Sequence, residues 1–292
     1  MTKNTMIITP NPEDPEIKLL SKEFEKKGYE VRHFIPADIR VNINTFSEYF
    51  EDLDPKAALV RGFGAAATQK IFFRLDILTA IEELDIKLIN SRESLEIASD
   101  KFLTSIFLQK HGLPTPRTII CENPKDALQG FEELGGDVIL KPLYGSKGIG
   151  ITRLTDKAFA ENVVYSLGQL NQVFYLQEFV EHKNRDIRVL VLGEKAIAGM
   201  YRISDNWKTN IYAGAKMKKI TLNDELTELA IKAADVVRTE IAGVDIIESE
   251  SGYQVLEVNS IPGFTALQQV TDINLPEAII DYFLSQVIKN EK

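Results

Sequence analysis

The chain has 292 residues, 44% of them hydrophobic, and a formal net charge of −9, with one cysteine and three histidines. That length suggests about two domains, each able to bury a core. Cys121 alone excludes an intramolecular disulfide and fits a reducing cytoplasm, so few His and Cys argue against a zinc site, the acidic balance argues against wrapping nucleic acid, and no apolar run is long enough to span a membrane.

The N-terminus reaches polar Asn11 too early for a signal peptide. NTMIIT (4–9) has a buried-strand pattern. Residues 15–27 carry Ile17, Leu20 and Phe24 at helical spacing, and Gly28 stops that helix. YEVRHF reads as a second strand and KAALVRG as a third. Residues 66–84 read as a helix through Ile71, Leu75, Leu78 and Ile81, and KLIN as a fourth strand. The alternation predicts a small open α/β sheet over residues 1–95. The glycines of RGFGAAA do not match the dinucleotide fingerprint, so no Rossmann cofactor site is expected. Arg61 falls at a strand's C-terminal end, where open α/β sheets bind ligands. It is a candidate anion contact or a plain surface arginine.

Ser99-Asp100-Lys101 opens a predicted helix to Lys110, with Ser99 as N-cap and Gly112 as the stop. Pro114 and Pro116 mark a break, and a domain boundary is placed between Asn90 and Pro116. From Thr118 to Glu178 the pattern runs strand (RTIIC), helix (123–134), strand (DVILKP), glycine loop, strand (GIGITRL), helix (156–169) and strand (VFYLQEF). In the loop, Gly145, Gly148 and Gly150 let backbone N–H groups turn toward an anion, and Lys147 adds charge. No Gly-Lys-Ser/Thr closes it and a strand follows, so it is not a Walker A loop. It reads as a hairpin lid over phosphates or as a simple turn. Lys141 shares a face with Ile139 on an apolar strand and calls for an anion, or else snorkels from an edge strand. Glu178, ending its strand before Phe179 and Val180, suits an adenine edge or an edge-strand turn.

RDIRVLVLG and KAIAGMYRIS read as a hairpin in which Asp186 and Arg188 share a face and which brings Arg202. A polar loop, Asn206–Lys216, carries Lys208 and Asn210, and residues 223–240 form an amphipathic helix. From Lys141 to Lys219, 13 Lys and Arg stand against 7 Asp and Glu, an excess of six positive charges in an acidic chain. That basic middle is a site for a small anionic ligand or a solvated face. VDIIESESGYQVLEVN (244–259) is a hairpin. Centred on Ser251, it sets Asp245 opposite Glu257, with Asn259 on the same face. Paired like charges are kept most cheaply around a cation, and two carboxylates with an amide suit Mg²⁺ shared with nucleotide phosphates. The alternative is a solvated hairpin face. SIPGF is a turn, and residues 276–289 form a closing helix.

In order, DKFLTSIFLQKHGLPTP, VILKPLYGSKGIGI, FYLQEFVEHKNRDIRVLVLG, MYRI with NWKTNIYAG, and GVDIIES with VLEVNSIPGF resemble the RimK-like ATP-grasp glutamate ligases over about residues 57–285. RGFGAAATQKIFFRLDIL, NWKTN and LEVNS look most like archaeal enzymes adding an α-linked glutamate to tetrahydromethanopterin or the deazaflavin coenzyme. Ribosomal-protein glutamate ligases and LysX amino-carrier ligases are more distant. The resemblance implies an α/β ATP-grasp fold: an N-terminal domain (1–95), a central domain with the lid (96–180) and a C-terminal domain (181–292).

It assigns Lys101 and Lys141 to the ATP phosphates, beneath a lid including Gly145, Ser146, Lys147 and Gly148. Gln177, Glu178, Phe179 and Val180 flank the adenine, Glu178 receiving its exocyclic amine. Asp186 and Lys208 lie near the nucleotide. Arg188 faces the transferred phosphoryl group, and Arg188, Arg202 and Asn210 are the candidates for stabilising the oxyanion. Asp245, Glu257 and Asn259 match magnesium ligands, for two Mg²⁺ or Mn²⁺ ions. The implied substrates are ATP, glutamate and a glutamate-tailed coenzyme, in a cytoplasmic homodimer or homotetramer without nucleic-acid or membrane partners. The chain departs from the family at Gly214-Ala215, where Gly-Gly is common.

Overall fold

The computed structural model describes residues 3–51, 55–64, 66–145, 148–210 and 214–290. The first sheet is parallel, with β1 (Lys3–Ile8), β2 (Tyr29–Phe34), β3 (Ala57–Val60) and β4 (Lys87–Ile89) in the order β2-β1-β3-β4. Helix α1 (Pro15–Lys26) starts at Asp14, whose side chain accepts from the Glu16 N–H, with Pro15 at the first turn. It buries Ile17, Leu20 and Phe24, the residues its spacing selects. Between β2 and β3 the sequence reading left a gap. There a 3₁₀ turn (Ile43–Thr45) and short α2 (Glu48–Glu51) cluster Phe46, Tyr49 and Phe50 against Phe34. Helix α3 (Thr68–Glu82) covers the sheet through Leu75, Leu78 and Ile81.

One helix start differs from expectation. Ser99 ends an additional helix, α4 (Arg92–Ser99), which is capped by Ser91. Asp100 is the cap of α5 (Lys101–Lys110), accepting from Phe102 and Leu103 N–H. A carboxylate outcompetes the preceding hydroxyl because it accepts both free N–H groups and complements the helix dipole.

The second sheet is antiparallel, ordered β5-β8-β6-β7. It comprises β5 (Thr118–Cys121), β6 (Val138–Lys141), β7 (Thr152–Leu154) and β8 (Phe174–Glu178), with α6 (Pro124–Glu133) and α7 (Lys157–Gly168) packed on Val138, Leu140, Phe174 and Leu176. The lid joins β6 to β7; Ser146 and Lys147 lie outside the described residues.

The third sheet runs β11-β10-β9-β12-β13. Its strands are β9 (Arg185–Leu192), β10 (Lys195–Ile203), β11 (Lys216–Ile220), β12 (Ile241–Ser249) and β13 (Gly252–Asn259). One face (Ile187, Val189, Val191) packs on α8 (Asp224–Val236). The other (Leu190, Leu192, Met200) packs on α10 (Leu275–Asn290) and, through it, on α1. Short α9 (Thr265–Gln268) follows β13. Asn90, 1% exposed, ties the first sheet to the third: its Nδ2 donates to Ile241 O (2.8 Å) and Ser260 O (2.5 Å), and its Oδ1 accepts from Ile241 N (2.8 Å).

The β12–β13 hairpin pairs Asp245 with Glu257 by a route the pattern did not show. Ser249 faces Gly252, so the turn centres half a residue before Ser251, and Ile246 faces Val255. The register then shifts between Ile246 and Asp245, leaving Leu256 as an extra residue on β13. This bulge restores the carboxylate pairing that the earlier turn centre would have broken.

Candidate active site

A cavity of about 820 Å³ opens where elements of all three sheets converge. Glu16 and Arg61 line it from the first unit and Lys101, Gly145 and Gly148 from α5 and the lid. Arg188, Arg202, Asp245, Glu257 and Asn259 line it from the third sheet, with Asn210 from the loop after β10. Among the described residues no helix is long and apolar enough to cross a membrane.

Register puts the charged groups of the third sheet together, since Asp245 faces Arg188 and Asp186 faces Arg202. Arg188 grips Asp245 through Nε and through Nη2, the latter at 2.9 Å from Oδ2. Arg202 donates to both oxygens of Asp186, at 2.7 and 2.6 Å, and its Nη2 is 3.0 Å from Asp245 Oδ2. Thr209 donates to Asp186 Oδ2 at 2.6 Å. Arg202, Asp186 and Asp245 are at most 5% exposed. Burial opposes the charge of Arg202, but Asp245 and Asp186 outweigh it and hold the guanidinium above its ordinary range. Burial likewise pushes the Asp245 carboxyl up, and Arg188 and Arg202 hold it below the usual carboxylate range.

Two expectations change here. Asp186, expected near the nucleotide, holds Arg202 and Thr209 and is not among the residues lining the cavity. Repulsion between Asp245 and Glu257 needs no metal to relieve it, because two guanidiniums already neutralise Asp245. Among the described residues no group of three His, Cys, Asp or Glu side chains could hold a metal ion. The donors that fit Mg²⁺ are Glu257, half-buried and without a hydrogen bond or ion pair among the described residues, and Asn259, whose Nδ2 is donated to Gly243 O (3.2 Å). That leaves the amide oxygen free to ligate. Such a sparse set suits an ion that completes its shell with phosphate and water.

Lys141 Nζ donates to Gln177 Oε1 at 2.6 Å. Gln177, 2% exposed, in turn donates to Thr118 Oγ1 (3.1 Å) and Tyr175 OH (3.3 Å). Tyr175 OH meets Ser105 Oγ at 2.7 Å, and Ser105 donates to Lys101 O at 2.7 Å. Gln177 therefore braces a lysine; neither of the two is among the residues lining the cavity, although Pro142, next to Lys141, is. Burial pushes the Lys141 ammonium down to about 8, with Lys101 adding to the effect and Glu257 and Asp245 opposing it. Lys101 Nζ rests on the lid stem, 3.4 Å from both Leu143 O and Gly145 O, and Tyr144 OH donates to Asp100 Oδ2 at 3.2 Å. Gly148 packs so tightly that a Cβ there would lie 2.4 Å from Asn210 Oδ1.

At the β8 end, Glu178 does not present a free carboxylate. Arg117 donates to it from its backbone N (2.9 Å) and its Nε (2.6 Å). The Arg153 guanidinium lies 3.4 Å over the Phe179 ring and pairs bidentately with Asp137. Lys208 Nζ sits 5.2 Å over the Trp207 ring. Sequence reasoning missed Glu16, Arg117, Thr209 and Asn90, all of which act through partners 20 or more residues away; no local pattern marks such contacts.

A family model described as the RimK-like ATP-grasp domain matches residues 98–283. The chain is 36% identical over 238 residues to the tetrahydromethanopterin:alpha-L-glutamate ligase of Methanococcus maripaludis, covering 80% of each chain. It is 31% identical over 278 residues to the alpha-aminoadipate–LysW ligase LysX of Saccharolobus solfataricus, covering 91% of this chain and 96% of that one. The structure of the ATP-grasp ligase PsnB with minimal precursor, Mg and ADP superposes with a TM-score of 0.74 at 20% identity, covering 97% of this chain and 98% of that one.

Proposed function

Because the chain belongs to the RimK-like ATP-grasp family, and is an ATP-dependent ligase, we propose that it adds L-glutamate in α-linkage to a glutamate-bearing coenzyme, with tetrahydromethanopterin as the acceptor. The observation that carries this reading is the convergence of Lys101, Arg188, Arg202, Glu257 and Asn259 on one cavity. The similarity to a ligase of that name supports the choice of acceptor.

A carboxylate is a poor acyl donor because oxide leaves badly. Transfer of the ATP γ-phosphoryl group turns it into an acyl phosphate, whose leaving group is phosphate. The glutamate amine then attacks, and the tetrahedral intermediate collapses to an amide, ADP and phosphate. Phosphoryl transfer requires in-line positioning and neutralised charge. Lys101 and Lys141 take the phosphates, and Arg188 meets the group in transfer. Mg²⁺, when bound, would neutralise phosphate oxygens, and Glu257 and Asn259 would hold it, with the lone pair that Asp245 Oδ1 keeps beside its Arg188 contact as a further acceptor. Arg202, locked between Asp186 and Asp245, orients Asp245 and offers little mobility for an oxyanion; Arg188 and Asn210 are better placed on the cavity. The lid excludes water from an intermediate that otherwise hydrolyses. The amine's proton leaves to phosphate or water.

The similarity to LysX supports a second reading, loading of an amino-carrier protein. Incubation with ATP, Mg²⁺ and glutamate against tetrahydromethanopterin, the deazaflavin coenzyme and a LysW-type carrier, read by product mass and ADP release, separates them. A single glutamyl adduct on tetrahydromethanopterin is expected. An adduct on the carrier alone overturns the first reading in favour of the second.

A further inference from the structure

The wall contributed by the first sheet carries an arginine that the reaction outlined above does not use. Arg61 directly follows β3, is 8% exposed and lines the cavity, with Cζ 5.7 Å from the centre of the Phe264 ring. Among the described residues only Nη2 is engaged, donating to Glu16 Oε2 (3.0 Å) and Pro262 O (2.8 Å). Among the described residues Nε is enclosed without a partner, while Nη1 has no acceptor and is not enclosed. A guanidinium has five N–H donors in a fixed fork, so more than half of this one's capacity is unspent.

Glu16 does not spend it. Its Oε1 accepts from Phe264 N (2.7 Å), Thr265 N (2.9 Å) and Thr265 Oγ1 (2.7 Å), which fixes it to the start of α9. Glu16 is thus a brace between the first sheet and the segment after β13. It holds one end of the guanidinium and leaves the Nη1 end for the cavity. The ligand class follows from the charge around it. Asp14 and Glu16 lie on the same wall, so this end sets two carboxylates against one guanidinium and does not suit a polyphosphate. A single carboxylate needs only one guanidinium.

We propose that Arg61 binds a substrate carboxylate that does not itself react, so that the first-sheet wall reads the acidic end of a substrate while the third sheet performs the chemistry. This rests on the glutamate-ligase reading and specifies one of its subsites. The carboxylate belongs either to the side chain of the incoming glutamate or to the second carboxylate of a glutamate-type acceptor end.

The test compares kcat/KM for the wild type, Arg61→Gln and Glu16→Gln with ATP and Mg²⁺. In one arm L-glutamine replaces L-glutamate, with tetrahydromethanopterin as acceptor. In the other, the acceptor carries a primary amide in place of its non-reacting carboxylate. The wild type is expected to disfavour the amide roughly 10–100-fold in one arm, which identifies the source of the carboxylate. Arg61→Gln reduces that ratio to within about 3-fold, having lost the discriminating charge. Glu16→Gln loosens the brace but keeps the cation, and so keeps the wild-type ratio. If Arg61→Gln slows both substrates alike and the ratio survives in both arms, Arg61 is only structural and the inference fails while the ligase reading stands. A wild type that makes no glutamyl amide removes the reading itself, and the inference with it.

Discussion

Lys141 Nζ lies 2.6 Å from the side-chain oxygen of Gln177, so a half-buried ammonium is held by a neutral amide and not by a carboxylate. Such a group lacks a counter-charge until an anion arrives, which is the condition for a phosphate-binding lysine. Its pKa falls from the ordinary 10.5 to about 8 through burial, with Lys101 adding and Glu257 and Asp245 opposing. Below about 8 the native state carries the full cost of the charge. Between about 8 and 10.5 the unfolded chain holds more protons, so stability rises with pH. Lys141→Met is therefore expected to stabilise the ligand-free protein at pH 7 by about 1–3 kcal/mol, a gain that shrinks as pH climbs through that window. ATP affinity falls at least tenfold in the same variant. Urea denaturation at several pH values and nucleotide titration check both halves; a destabilised variant would contradict the argument.

Asp186 accepts three hydrogen bonds while 3% exposed, two of them from Arg202. Asp186→Ala leaves a buried guanidinium half paired and is expected to cost about 3–5 kcal/mol. Calorimetric unfolding measures this. A change under about 1 kcal/mol would place the weight of the network on Asp245 instead.

Gly148 has φ +72°, and a methyl group there would meet Asn210. Gly148→Ala combines backbone strain of about 1 kcal/mol with a lid that no longer seats. The expected result is a fall in kcat of roughly tenfold, more unproductive ATP hydrolysis, and a Tm lowered by no more than that strain, because the lid lies outside the cores. The ratio of ADP to amide product reports the leak.

Asn90 makes three buried hydrogen bonds to the backbone of the third sheet. Asn90→Ala removes all three and is expected to destabilise by about 2–4 kcal/mol. It also loosens the first sheet from the third, so protease cleavage between Asn90 and Pro116 should accelerate alongside the lower Tm.

Glu257 is the carboxylate of the β12–β13 pair that no arginine occupies. Glu257→Gln should abolish turnover at limiting Mg²⁺, with partial recovery at high Mg²⁺ and a native far-ultraviolet circular dichroism spectrum. Asp245→Asn should also lose turnover, but with a lower Tm, since it breaks two ion pairs as well. Equal Tm values for the two variants would show that both carboxylates serve the metal alone.

Local periodicity was a good guide to elements that bury one face. Helix α1 appeared through Ile17, Leu20 and Phe24, and the order of strands and helices from β5 to β8 followed from apolar runs and turn formers. It failed where the signal was short or aromatic, as in α2 and its flanking 3₁₀ turn, and where two helices abut, as at Ser99 and Asp100. The pairing of Asp245 with Glu257 was legible from spacing, but only the bulge at Leu256 makes it real.

The sequence by itself determined which units form and which residue types reach the strand ends, because period, capping and turn chemistry act over a few residues. It also placed the ordered motifs by which the family can be read. Tertiary structure alone decided which partner each functional group meets: Asp186 with Arg202, Glu178 with Arg117, Lys141 with Gln177, Glu16 with Arg61. Those pairings join segments 16 to 61 residues apart in the chain, and Coulomb attraction depends on distance in space and on burial, neither of which a linear pattern contains.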